Sequence, residues 1–76
     1  MIACIINGII WWVKCVPPSY PELLTYDNDF ALGCCNNKNR TIYIADGLGQ
    51  KMFYKVLCHE ITHAAMFSYN VLLTID

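Results

Sequence analysis

A chain of 76 residues with a formal net charge of −1, 57% hydrophobic and 14% charged, makes one small domain. Such a chain buries only about 60% of the surface its unfolded form exposes, so its stability margin is thin. The near-neutral charge excludes the basic stripe that tracks a phosphate backbone, and direct nucleic-acid binding is not expected.

The apolar run Met1 to Val13 lacks a positive start, is interrupted at Asn7-Gly8 and meets Lys14 well short of the eighteen or so residues of a membrane span. Neither export nor a membrane partner is expected. Ile9-Ile10-Trp11-Trp12-Val13 is rich in β-branched and aromatic side chains and reads as a buried strand. A first strand therefore covers about Ile2 to Val16, with Asn7-Gly8 as a tight turn that splits it into a hairpin. Pro17-Pro18 and Pro21 end it.

Ser19 to Asp29 is mixed, with Glu22-Leu23-Leu24 as either a helical turn or an extended link. Phe30 to Cys35 and Thr41 to Ala45 follow as short strands. The Asn36-Asn37-Lys38-Asn39-Arg40 joint between them is a hairpin signal, since Asn tolerates positive φ. Five cysteines, Cys4, Cys15, Cys34, Cys35 and Cys58, are an odd number with one adjacent pair. They suit neither a disulfide framework nor a zinc finger and point to a reducing, cytoplasmic interior in which thiols act as small buried hydrophobes.

Asp46 is placed as an N-cap for a helix from about Leu48 to Tyr69. Lys51 and Lys55 mark its wet face. Met52, Val56, His59, Glu60, His63 and Phe67 line one side, and Phe53, Leu57, Ile61, Ala64 and Ala65 another, so apolar surface wraps most of the way round. The expected architecture is α+β. It has a small antiparallel sheet, hairpin or meander, from about 1–46, packed on one long helix from about 47–70, in a single domain 1–76.

Within that helix, His59-Glu60-Ile61-Thr62-His63 carries the chemistry. Residues four apart lie about 40° apart around a helix and roughly 6 Å along it, so two ring nitrogens can converge on one ion. Glu60, offset to the side, can reach a metal-bound water without competing as a ligand. That is the HExxH pattern of zinc-assisted peptide hydrolysis, with Glu60 as catalytic base and His59 and His63 as ligands of one Zn²⁺. A lone helical His is more often a satisfied core residue, but this chain has two His and two Glu, and three of those four fall into this register.

The residues Asn7-Gly8, Val16-Pro17-Pro18, Leu32-Gly33, Thr41 to Asp46 and Val56 to Asn70 together give the chain its likeness. It resembles a compact zincin metallopeptidase related to the ImmA/IrrE group, carried by phages and integrative elements of Gram-positive bacteria. The resemblance implies a zinc-dependent endopeptidase of regulatory type whose protein or peptide substrate is a repressor of the same element. It also implies that the substrate pairs as an extended strand beside Thr41, Ile42, Tyr43 and Ile44, or beside the neighbouring hairpin strand. Tyr43 and Tyr69 are candidates to stabilise an oxyanion, although packing is the commoner role of such tyrosines.

The chain departs from the family at the third ligand. A catalytic zinc takes three protein ligands and an open position. Met66 and Tyr69 stand where the HExxHxxGxxH pattern needs Gly and His. The relatives continue with an acidic helix, so the chain resembles a form lacking its C-terminal subdomain. Asp76 is the only acid downstream of His63, within reach of the site over six extended residues of about 3.3 Å each. Two further readings stay open: a catalytically incomplete metal-binding or scaffold protein, and a structural site joining His59 and His63 to two of Cys15, Cys34 and Cys35. A helix face left bare by a missing segment would also favour self-association.

Overall fold

The computed structural model describes residues 1–71. Strands β1 (Ile2–Ile6) and β2 (Ile9–Val16) form an antiparallel hairpin, β3 (Gly33–Asn36) and β4 (Thr41–Ala45) form a second, and α1 (Gln50–Ser68) follows. The sheet order is β1-β2-β4-β3, and β2 pairs with β4 in parallel. The α+β class holds, with a mixed sheet in place of a wholly antiparallel one. The reason lies in β4: all five of its residues are buried, and a strand apolar on both faces is stable only between two others with both faces covered. The second hairpin therefore docks with β4 inward against β2, leaving β3 at one edge and β1 at the other.

The Asn7-Gly8 turn has φ of 50° and 76°, the double positive-φ geometry that matches the twist of a two-residue hairpin. In the second turn the positive φ falls on Arg40, at 55°. The asparagines act there through side chains instead, with Asn36 Oδ1 accepting from the Lys38 amide at 2.9 Å.

Side chains alternate across the sheet. Trp11, Val13, Ile42 and Ile44 face α1 and form the main core with Ala64. Val16, Tyr43 and Ala45 face the other way and are covered by Leu23, carried on a 3-10 turn at Pro21–Leu23. Of the Glu22-Leu23-Leu24 stretch, Glu22 and Leu23 thus belong to a helical turn, while Leu24 is extended and bridges to Phe30.

Asp46 does not cap the helix. Gly49 holds the N-cap position without a side-chain hydrogen bond, while the Asp46 amide donates to the Val16 carbonyl at 2.7 Å. Gly47, at φ 83°, turns the chain out of β4 first, which leaves Asp46 three residues too early to serve the free amides of α1. At the other end, the Trp11 indole N–H donates to Ser68 Oγ at 2.7 Å and Asn7 Nδ2 donates to the Ser68 carbonyl at 2.9 Å. The helix therefore crosses the sheet from β3 at its start to the β1–β2 turn at its end. Among the described residues no helix is long and apolar enough to cross a membrane.

Candidate metal centre

The helical register brings His59 and His63 together as the spacing predicts. Their Nε2 atoms lie 3.2 Å apart and the ring planes are inclined at 64°. Two nitrogens each about 2.0–2.1 Å from a tetrahedral zinc are about 3.3 Å apart, so the pair has the separation of two donors on one ion. The same distance suits a hydrogen bond between a protonated and an unprotonated ring nitrogen. His59 is exposed and His63 half-buried, so the open side of the pair faces solvent.

Glu60 turns the other way. It is 7% exposed and lies against the backbone of Gly33 in β3, where a Cβ would stand 3.1 Å from Glu60 Cγ and 3.2 Å from Oε2. Burial pushes its carboxyl above the usual carboxylate range, and the charges of His59 and then His63 pull it part of the way back. Glu60 and His59 share the wall of a groove of about 550 Å³ that runs between α1, from Met52 to Glu60, and the segment Ala31 to Gly33. Gly33 carries no chemistry of its own; in the sequence it stood only inside the expected strand Phe30 to Cys35 and, with Leu32, among the residues of the family resemblance. It matters because it lets the carboxylate-bearing face of α1 approach the sheet edge.

The substrate edge is corrected. Thr41, Ile42, Tyr43 and Ile44 lie in β4, hydrogen-bonded to β2 on one side and β3 on the other, so no backbone group there is free to pair with a peptide. The free edge beside the groove is the neighbouring hairpin strand, β3. Because the Ala45 amide donates to the Leu32 carbonyl, antiparallel alternation turns the N–H and C=O of Gly33 and Cys35 outward. Tyr43 is also displaced as an oxyanion donor: it faces away from α1, packs on Tyr20 and accepts from Asn39 Nδ2 at 2.9 Å. Tyr69 stands exposed at the helix C-cap.

The donor set fits half of a zinc site. Among the described residues no group of three or more His, Cys, Asp or Glu side chains is placed to hold a metal ion. Cys34 packs in the outer cluster with Val16 and Tyr43, on the face opposite the two imidazoles. Asp76, the remaining candidate for third ligand, lies outside the described residues.

No protein family profile matches the chain, no curated protein is detectably similar to it, and no solved structure matches its fold.

Proposed function

We propose that this chain is a cytoplasmic zinc-dependent metallopeptidase that cuts an extended peptide lying along β3. The observation that carries this reading is the pair of Nε2 atoms 3.2 Å apart on the helical turn that also holds a buried carboxylate at a groove beside a free strand edge. Zinc held by His59 and His63 would supply Lewis acidity at the scissile carbonyl and lower the pKa of a water towards 7. Glu60 takes the proton from the attacking water and returns it to the leaving amine. A carboxyl raised by burial suits that role, because a general base works best with a pKa near the operating pH. The outward N–H and C=O groups of Gly33 and Cys35 hold the substrate by main-chain pairing, which tolerates many sequences. The resemblance to the ImmA/IrrE group, carried by Asn7-Gly8, Val16-Pro17-Pro18, Leu32-Gly33, Thr41 to Asp46 and Val56 to Asn70 together, supports a regulatory protein, a phage or mobile-element repressor, as the natural substrate.

A second reading, a metal-binding protein without turnover, is favoured by one observation: the described residues supply two donors where a catalytic zinc takes three. One experiment separates the two. Metal content is measured for the parent chain, His59→Ala and Glu60→Gln, alongside cleavage of a quenched-fluorescence peptide library. The peptidase reading expects zinc in the parent and in Glu60→Gln, little in His59→Ala, and cleavage by the parent alone. Zinc without cleavage in the parent selects the second reading. A parent without zinc, or Glu60→Gln cleaving at the parent rate, sinks the peptidase.

A further inference from the structure

We propose that the free edge of β1 pairs with β1 of a second copy of this chain, antiparallel about a two-fold axis at Cys4. The opposite edge of the sheet belongs to the groove; among the described residues no strand pairs with this one. In a two-residue hairpin the residues flanking the turn, Ile6 and Ile9, form a hydrogen-bonded pair, so Ile6, Cys4 and Ile2 spend their backbone groups on β2. The N–H and C=O of Ala3 and Ile5 point outward. Edge strands are ordinarily protected by a charge, a proline or a bulge, and Ile2-Ala3-Cys4-Ile5-Ile6 contains none of these.

The strand is complementary to itself in a register centred on Cys4. With Cys4 opposite Cys4 of the second copy, Ala3 faces Ile5 and Ile5 faces Ala3, and the outward donors and acceptors of both copies meet in four main-chain hydrogen bonds. The side chains agree with that register. On the outer face each cross-strand row then reads Trp12, Ala3, Ile5 of the second copy and Ile10 of the second copy, because Trp12 already pairs with Ala3 and Ile10 with Ile5. With strands about 4.8 Å apart, the small Ala3 lets the indole of Trp12 lie across it onto the isoleucine beyond. On the helix face Ile2 meets Ile6 of the second copy.

The exposure of this end of the sheet calls for such a cover. Met1, Ile2, Ile5, Ile10 and Trp12 are 77, 68, 72, 50 and 41% exposed. Ile5, Ile10 and Trp12 lie on the outer face and Ile2 on the helix face, so exposed apolar side chains flank the β1 edge on both sides of the sheet. β1 carries no charged side chain, so like copies approach without repulsion.

The test is the mass of the intact chain by light scattering over a concentration series, with Ile5→Lys as the variant. The expected result is a doubling of the 8.7 kDa chain mass that Ile5→Lys reverses, with its far-UV spectrum unchanged because the replaced side chain is in solvent. A second measurement fixes the register. In a Cys15→Ser, Cys58→Ser background, which removes the exposed thiols, diamide should take one hydrogen from each Cys4 and join them as a disulfide dimer. Cys4→Ser should abolish that product. A single-copy mass for the parent at every concentration, a dimer that Ile5→Lys leaves intact, or a dimer with no Cys4 cross-link overturns the proposal.

Discussion

Gly33 and Val56 approach so closely that a Cβ on the glycine would lie 2.6 Å from Val56 Cγ1. A helical valine holds essentially one χ1 rotamer, so the methyl cannot be absorbed by a side-chain swing and α1 has to lift from β3. Gly33→Ala should cost about 1–3 kcal/mol, the usual penalty for forcing extra volume into a packed contact. Adding Val56→Ala should return much of that loss, giving a favourable coupling in a double-mutant cycle followed by urea denaturation. Equal stability of Gly33→Ala and the parent would mean that the helix is not seated as described.

The second prediction concerns Glu60 in metal-free protein. Burial raises its folded pKa above the unfolded value, so the contribution of this group to stability is complete below the unfolded carboxyl range, where both states are protonated. It is lost as pH rises through the raised folded value, because the unfolded chain ionises first. Glu60→Gln has no ionisation to suppress. Chelated parent protein should therefore lose stability relative to Glu60→Gln as pH rises above the ordinary carboxyl range, and the two should converge in acid. Parallel curves across that range would show that Glu60 is well solvated.

Much of the frame was legible along the chain, and what was not has identifiable causes. The Asn7-Gly8 hairpin, Thr41 to Ala45 as a strand and the long helix follow from local chemistry: turn propensity, β-branched runs and a 3.6-residue period. The parallel β2–β4 pairing depends on which edge a preformed hairpin presents, which no local pattern states. The unbroken apolar content of Thr41-Ile42-Tyr43-Ile44-Ala45 did hold the clue, since an edge strand alternates and a central one need not. Asp46 misled because N-cap chemistry was satisfied on paper while Gly47 was turning the chain. The His59 and His63 pair was readable because helical periodicity fixes it. Gly33 opposite Glu60 was not, because nothing in sequence spacing links a strand to a helix 27 positions on.

A third prediction follows from Trp11, which is fully buried and donates its indole N–H to Ser68 Oγ at 2.7 Å. Ser68 is buried as well, so no water stands ready to replace the hydroxyl. Ser68→Ala should cost about 1–3 kcal/mol, the penalty for stranding a buried donor. The change should appear as a lower urea midpoint at an unchanged m-value. An unchanged midpoint would mean that the indole finds another acceptor.

The five thiols should label in a fixed order. Cys15 and Cys58 are exposed. Burial, then the charge of Glu60, then Cys34, pushes the Cys35 thiol up to about 12, and burial followed by Glu60 and Glu22 raises Cys34 as well. Since the thiolate is the nucleophile, Cys35 is held almost wholly in the unreactive thiol form at pH 8. Brief iodoacetamide treatment of native protein, read by peptide mass spectrometry, should modify Cys15 and Cys58 first and Cys35 last. Glu60→Gln should quicken the labelling of Cys35 by removing the second cause of its shift. Cys35 labelling as fast as Cys58 would contradict the packing of β3 against α1.

The last prediction decides what the 3.2 Å imidazole contact is for. If it is a metal grip, zinc should stabilise the parent chain by mass action, by about 2.7 kcal/mol at a free concentration of 100 times Kd, and a chelator should remove the gain. His59→Ala and His63→Ala should each weaken zinc binding in calorimetry by more than about a hundredfold, beyond the roughly 10–100-fold that loss of a merely supporting contact costs. Thr62→Ala, which only breaks the hydroxyl bond to the Cys58 carbonyl, should leave zinc affinity in place. If the contact is instead an imidazole–imidazole hydrogen bond, zinc will move the melting temperature of the parent no further than that of either His variant.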